Sequence, residues 1–162
     1  SITINPRRLN AVNIKTAPFP GFPTDLQAPF TALMTIANGE SKITETIFEN
    51  RMNHINLLKK MGADIKLDKN VAHIKGVKTI KGMDLVASDL RSSAALIIAG
   101  IIAKGSSKIY GLEHLDRGYE NFESKLKILG IKITREQNKR SLSKKEFNIS
   151  QDTEEIQKCE AA

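Results

Sequence analysis

The sequence predicts an α/β fold with mixed strand pairing, built from two copies of one helix–strand–helix–strand unit. Three observations carry that prediction. Helix-period and strand-period segments alternate along the chain, with glycines between them. Landmark residues recur at nearly constant separation: Asp25 and Asp89 stand 64 residues apart, Gly39 and Gly105 66, Arg51 and Arg117 66, and Gly62 and Gly130 68. This drift fits two short loop insertions in the second copy. Finally, Ala94–Ala103 (AALIIAGIIA) is apolar on every face, as expected of a helix buried all round.

Ser1–Ile4 (SITI) and Ala11–Ala17 (AVNIKTA) read as strands left over from something upstream. A chain opening without methionine reads as a segment already inside a fold. The first copy spans about 24–76 and begins after a turn rich in proline, FPGFP at 19–23. In each copy a Thr or Ser precedes Asp at a helix start (Thr24-Asp25, Ser88-Asp89), which is N-cap chemistry. Leu26, Phe30, Leu33, Met34 and Ala37 then share one helical face. Gly39 and Gly105 end these first helices as left-handed caps.

A strand follows in each copy, SKITETIF in one and SSKIYGL in the other, supported by alternation and β-branched residues. Short polar loops come next, each holding an arginine, FENR and LDRG. The second helices carry Met52, Ile55, Leu58 and Met61 in one copy and Phe122, Leu126 and Leu129 in the other. Both stop at glycine, Gly62 and Gly130, before further strands, ADIKL and IKIT. Between the copies, VAHIKGVKTIKGMDLVA reads as short strands joined at glycines. The second copy spans about 88–135. Residues 1–135 thus form one partial domain, and 136–162 form a polar, disordered tail.

Only 5% of the residues are aromatic and none is Trp, so the core has to be aliphatic. The net charge of +7 suits a nucleic acid or a small anionic substrate. Five of the basic residues fall in Arg135–Lys145, and stacking aromatics interleaved with Lys or Arg are missing. Nucleic-acid binding is disfavoured accordingly. A single cysteine, Cys159, precludes an internal disulfide and fits a reducing compartment. It lies in a polar context that does nothing to activate a thiol. No leader is visible, and the longest apolar run is too short to span a bilayer. A cytoplasmic protein without a membrane span is the expectation.

His54, His73 and His114 lack metal-ligand spacing, and no dinucleotide or P-loop fingerprint is present. No cofactor or metal is expected. The chemistry-bearing residues are on loops: Asp25 after the Pro-rich turn, Arg51 in FENR, Asp89-Leu90-Arg91 at the second helix start and Arg117 in HLDRGYE. Either aspartate can serve as a helix-dipole carboxylate, worth about 0.3–1 kcal/mol. Either can instead accept a substrate hydroxyl's hydrogen bond and its proton. Arg51, Arg91 and Arg117 are solvated arginines or, if they converge on one mouth, a grip for phosphate or carboxylate.

PFPGFPTDLQAPF, ITETIFENR, LKKMGADI, ASDLRSSAALIIAG and LDRGYENFESKLKILG together resemble the UDP-N-acetylglucosamine enolpyruvyl transferase family. The resemblance runs from about residue 5 to 135. A sister family, 5-enolpyruvylshikimate-3-phosphate synthase, shares the fold, but GFPTDLQ and HLDRGYE look like the sugar-nucleotide branch. The resemblance implies an inside-out α/β barrel, with buried helices and mixed sheets outside. It implies transfer of enolpyruvyl from phosphoenolpyruvate to the 3-hydroxyl of UDP-N-acetylglucosamine, the first committed step of peptidoglycan synthesis. By motif match, Asp25 contacts that hydroxyl and is the candidate base. The backbone of Ile47 and the side chain of Arg51 would meet the sugar nucleotide. Asp89, Leu90, Arg91 and Arg117 would line the phosphoenolpyruvate side, with Arg117 holding its anionic groups. The family's acid cysteine, and the lysine and asparagine that grip phosphoenolpyruvate, have no counterpart here. The resemblance therefore implies a C-terminal portion that is inactive alone and works with a complementary N-terminal domain. The alternatives are a non-catalytic remnant that binds anions or another chain, and the sister synthase activity.

Overall fold

The computed structural model of the protein describes residues 9–136. The expectations for Ser1–Ile4, for the tail beyond 136 and for Cys159 lie outside those residues.

Two helix-bridged pairs of parallel strands organise the part of the chain up to Asn121. In the first, β1 (Ile14–Lys15) leads through a 3-10 helix (Thr24–Leu26) and α1 (Gln27–Met34) to β2 (Glu40–Thr44), which pairs parallel with β1. In the second, β5 (Asp84–Val86) leads through α3 (Leu90–Ile102) to β6 (Lys108–Tyr110), again parallel. Between them stand α2 (His54–Lys60), β3 (Asp64–Asp68) and β4 (Val71–Lys75). β4 pairs antiparallel with both β2 and β3, giving a mixed sheet of order β1-β2-β4-β3. Alternation sets its faces: Ser41, Ile43 and Glu45 point inward from β2 and its extension, opposite inward Ala72 and Ile74 of β4.

The core is aliphatic, as the scarcity of aromatics requires. Ala32, Met34, Ile43, Ile55, Leu58, Ile74, Ile80, Leu96 and Ala99 are all but inaccessible to solvent. Every residue of α3 from Ser92 to Ile97 is buried, so that half of the helix is enclosed on all sides and packs against α1 and α2. Its last turn surfaces at Ile101. Gly39 and Gly105, and Gly62 and Gly130, all have positive φ, between 86° and 110°. The glycine spacing seen in the sequence is thus a repeated left-handed backbone requirement.

Three local expectations are corrected. α1 ends at Met34, short of Gly39, because the Thr35 hydroxyl bonds the Ala32 carbonyl at 2.7 Å and its N–H turns back to the same oxygen. The predicted face of α1 is also rotated. Gln27, Ala28, Pro29, Thr31 and Ala32 are buried with Met34, whereas Leu26 stands 44% exposed beside Asp25. IKIT (131–134) forms no strand. Its counterpart β3 is held by β4 across a tight turn at Lys69 (φ 52°), and no such partner exists for it among the described residues.

The described residues from Phe122 onward form a separate unit, containing α4 (Phe122–Ile128). This helix ends at Ile128, two residues before the left-handed Gly130 where the sequence places its stop, and is tied to Arg135 through Glu123 at 3.6 Å. No helix among the described residues is long and apolar enough to cross a membrane.

Leu96→Ala should lower unfolding free energy by about 2–5 kcal/mol, since it empties a fully buried position. Ile101→Ala, one turn beyond on the surfacing end of the same helix, should cost less than about 1 kcal/mol. Urea denaturation of both variants measures the contrast.

Candidate active site

The two equivalent aspartates do different work. Asp89 is the N-cap of α3. Its Oδ1 accepts from the N–H groups of Arg91 (3.0 Å) and Ser92 (2.8 Å), and its Oδ2 from the hydroxyls of Ser88 (3.0 Å) and Ser92 (2.5 Å). Burial raises its pKa, but the Ser92 hydroxyl and N–H, the Ser88 hydroxyl and the Arg91 N–H together outweigh burial and hold it below the usual carboxylate range. Asp25 caps nothing. It lies inside the 3-10 helix, its side chain 55% exposed, and one oxygen, Oδ1, meets two guanidinium groups: Arg91 at 2.7 Å and Arg51 at 3.2 Å.

This cluster joins the two copies. Arg91 comes from the first turn of α3 in the second copy, and Asp25 and Arg51 come from the first. The packing of α1 against α3 sets the helix starts side by side. Both arginine side chains are about three-quarters buried. Arg51 is further fixed by the Thr24 hydroxyl (2.9 Å) and by the Phe48 ring, whose centroid lies 4.1 Å from its Cζ.

Glu45 sits behind the cluster. It is 1% exposed and continues the inward phase of β2. Its Oε1 accepts from the Thr16 hydroxyl (2.9 Å) and the N–H groups of Ile47 (2.8 Å) and Phe48 (3.2 Å), and its Oε2 from Thr24 (2.7 Å). Burial pushes its pKa up, and the bonds from Thr24, Ile47, Thr16 and Phe48 more than offset that, leaving the carboxyl below its ordinary value of 4.5. Reading the sequence for function passed over Glu45, Thr24 and Thr16. The available signal was an acid on the buried phase of an alternating strand, a position that demands compensating donors.

Among the predicted residues, Asp25, Arg51 and Arg91 come into contact, and Asp89 supports them as a cap. Ile47 is in the loop whose N–H groups Glu45 holds. Leu90 packs beneath Gly118, where a Cβ would come within 2.9 Å of its side chain. Arg117 immediately precedes that glycine, at the end of a 3-10 helix (Leu115–Arg117) anchored by buried Leu115. It stands exposed next to the Leu90–Arg91 turn and does not join the ion pairs at Asp25.

His54 opens α2 and is 1% exposed, with Nε2 unpartnered. Burial lowers its pKa to about 4, against a weaker upward pull from Asp89. Among the described residues no cluster of His, Cys, Asp or Glu has the makings of a metal site.

Two predictions test this arrangement. Asp89→Ala should destabilise the protein by about 0.5–2 kcal/mol through loss of the cap, while Asp25→Ala, an exposed ion-pair change, should cost less than about 0.5 kcal/mol. Chemical denaturation separates them. Unfolded His54 takes up a proton near pH 6.5, folded only near 4. Stability should therefore decline as pH falls between those values, by on the order of 3 kcal/mol in full. His54→Leu should flatten that decline in thermal melts taken from about pH 7 to about pH 5.

Comparison with known proteins agrees with the architecture. A family profile described as EPSP synthase (3-phosphoshikimate 1-carboxyvinyltransferase) matches residues 1–126. A UDP-N-acetylglucosamine 1-carboxyvinyltransferase from Prochlorococcus marinus is 76% identical over 158 residues, covering 98% of this chain and 35% of that protein. One from Thermodesulfovibrio yellowstonii is 57% identical over 132 residues, covering 82% of this chain and 32% of that protein. Among solved structures, the enolpyruvyl transferase NikO from Streptomyces tendae superposes with a TM-score of 0.69 at 28% identity, over 77% of this chain and 29% of that one. The chain spans about a third of the length of the curated relatives it matches.

Proposed function

Because this chain belongs to the EPSP synthase (3-phosphoshikimate 1-carboxyvinyltransferase) family, we propose that it supplies one side of an enolpyruvyl-transfer site, with UDP-N-acetylglucosamine as acceptor and phosphoenolpyruvate as donor. The product would enter peptidoglycan synthesis. The observation that carries this reading is the Asp25 carboxylate held by Arg51 and Arg91 at 3.2 and 2.7 Å, where the two copies meet. The high identity to proteins named for the sugar-nucleotide reaction favours that acceptor over shikimate 3-phosphate.

In the reaction, the acceptor hydroxyl loses its proton as its oxygen bonds the enolpyruvyl carbon, and phosphate departs. Asp25 accepts that hydroxyl's hydrogen bond and then its proton. Both arginines hold Oδ1, which leaves Oδ2 to face the acceptor. The Ile47 N–H is committed to Glu45, so a sugar nucleotide would meet its carbonyl. Arg91 and Arg117 adjoin in sequence Leu90 and Gly118, which touch, and would hold the phosphate and carboxylate of phosphoenolpyruvate, each charged hydrogen bond worth about 1.5–3 kcal/mol. The acid that protonates the donor, and the second wall of the cleft, come from a complementary N-terminal domain.

Calorimetric titration of the chain with UDP-N-acetylglucosamine should show binding. Phosphate release should be absent from the chain alone and should appear when the remaining N-terminal part of the Prochlorococcus marinus relative is added with both substrates. Asp25→Ala should then lower turnover by about 10²–10⁴. No heat and no restored turnover would support a non-catalytic remnant, and turnover with shikimate 3-phosphate in place of the sugar nucleotide would support the sister activity.

A further inference from the structure

Arg51 owes its aim to a carboxylate it never touches. Its Nη1 has two hydrogens, one directed at Asp25 Oδ1 (3.2 Å) and the other at the Thr24 hydroxyl oxygen (2.9 Å). A guanidinium can only donate, so Thr24 must accept there. On its other side Thr24 lies 2.7 Å from Glu45 Oε2. An ionised carboxylate can only accept, so the single hydroxyl proton must point to Glu45. The order Arg51 to Thr24 to Glu45 therefore has one direction, fixed by the charge at its buried end. Glu45 also holds the second support of Arg51. Its Oε1 takes the N–H of Phe48, whose ring lies beneath the guanidinium.

We propose that Glu45 is a positioning residue for the Asp25–Arg51 pair, acting through the Thr24 hydroxyl and the Phe48 backbone. The geometric claim stands on the contacts alone, and its consequence for catalysis rests on the function proposed above. Substitution by glutamine exposes the logic. With three donors on Oε1, namely the Thr16 hydroxyl and two backbone N–H groups, the amide oxygen is required at that position. The amide NH₂ must then face Thr24, which has to accept from it. The hydroxyl proton loses the carboxylate that fixed its direction and is free to turn towards Arg51, where a donor would meet a donor, so Nη1 is held less firmly.

The experiment follows the guanidinium protons of Arg51 by ¹⁵N NMR in the full chain, assigned by their loss in Arg51→Lys. In the parent protein and in Thr24→Ser, which keeps the hydroxyl, the Nη protons should be resolved and slow to average. In Glu45→Gln and in Thr24→Val their averaging should be faster by about five-fold, the equivalent of one net hydrogen bond. The double variant Thr24→Val/Glu45→Gln should be no faster than the faster single variant, because both break one relay. Thr24→Val leaves the other three bonds of Glu45 in place, so it tests the relay even if Glu45→Gln fails to fold. Parent-like Arg51 signals in a folded Thr24→Val, or additive effects in the double variant, would overturn the proposal. Titration of the same samples with UDP-N-acetylglucosamine keeps the two readings apart. Altered Arg51 signals without binding in the parent would sink the proposed acceptor and spare the relay; parent-like signals with binding intact would sink only the relay.

Discussion

The apolar run from Ala94 to Ala103 has to be taken out of water, and most of the architecture follows from meeting that demand. Enclosing the first half of α3 requires neighbours on every side. α1, α2 and the strands around them supply those neighbours. A short apolar helix of this kind leaves its capped start as the only polar part within reach of solvent. Asp89 and Arg91 occupy that start. Packing α3 against α1 therefore brings a polar turn from one copy beside the Pro-braced turn of the other, and the contact between Arg91 and Asp25 is its result. The site is a by-product of core burial, placed where two helices begin.

The duplicated plan then becomes unequal. Asp89 turns its carboxylate inward to its own helix and accepts four hydrogen bonds from neighbours within four residues. Asp25 starts from a 3-10 turn instead, and its partners are guanidinium groups far away in sequence. The difference lies in Thr24 against Ser88. Ser88 bonds the adjacent aspartate, while Thr24 is drawn to Glu45 and Arg51. A buried glutamate on β2's extension has no matching acid in SSKIYGL, so the second copy cannot build the same relay. One half of the duplication is thereby used for holding the helix and the other for presenting a carboxylate to solvent. The chemistry proposed above needs that division, because a carboxylate fully engaged with backbone donors has no free lone pair for a substrate hydroxyl.

Much of the fold is written in local chemistry. Strand alternation, apolar runs and glycines at left-handed positions are properties of adjacent residues, and the α/β class, the order of elements and the all-round burial of the first half of α3 follow from them. So does the short list of loop aspartates and arginines, since charged residues beside Pro and Gly turns stand out without any coordinates. Resemblance to enolpyruvyl transferases narrowed that list further. Helix limits and faces were less legible. The Thr35 hydroxyl, which cuts α1 short, competes for a carbonyl only once the helix exists, and IKIT has every property of a strand except a partner.

Which aspartate caps and which presents its charge lay beyond the letters, because Thr-Asp and Ser-Asp have the same local preferences. That choice depends on groups 20 or more residues away, Glu45, Arg51 and Arg91 around Asp25, and long-range contacts leave no local periodicity to read. Glu45 is the clearest instance. In sequence it is one acid in an ordinary strand, and its part emerges only when folding removes it from water and obliges four neighbouring donors to answer its charge. Composition and period settle what must be buried. Desolvation inside the assembled core settles which polar groups have to find one another.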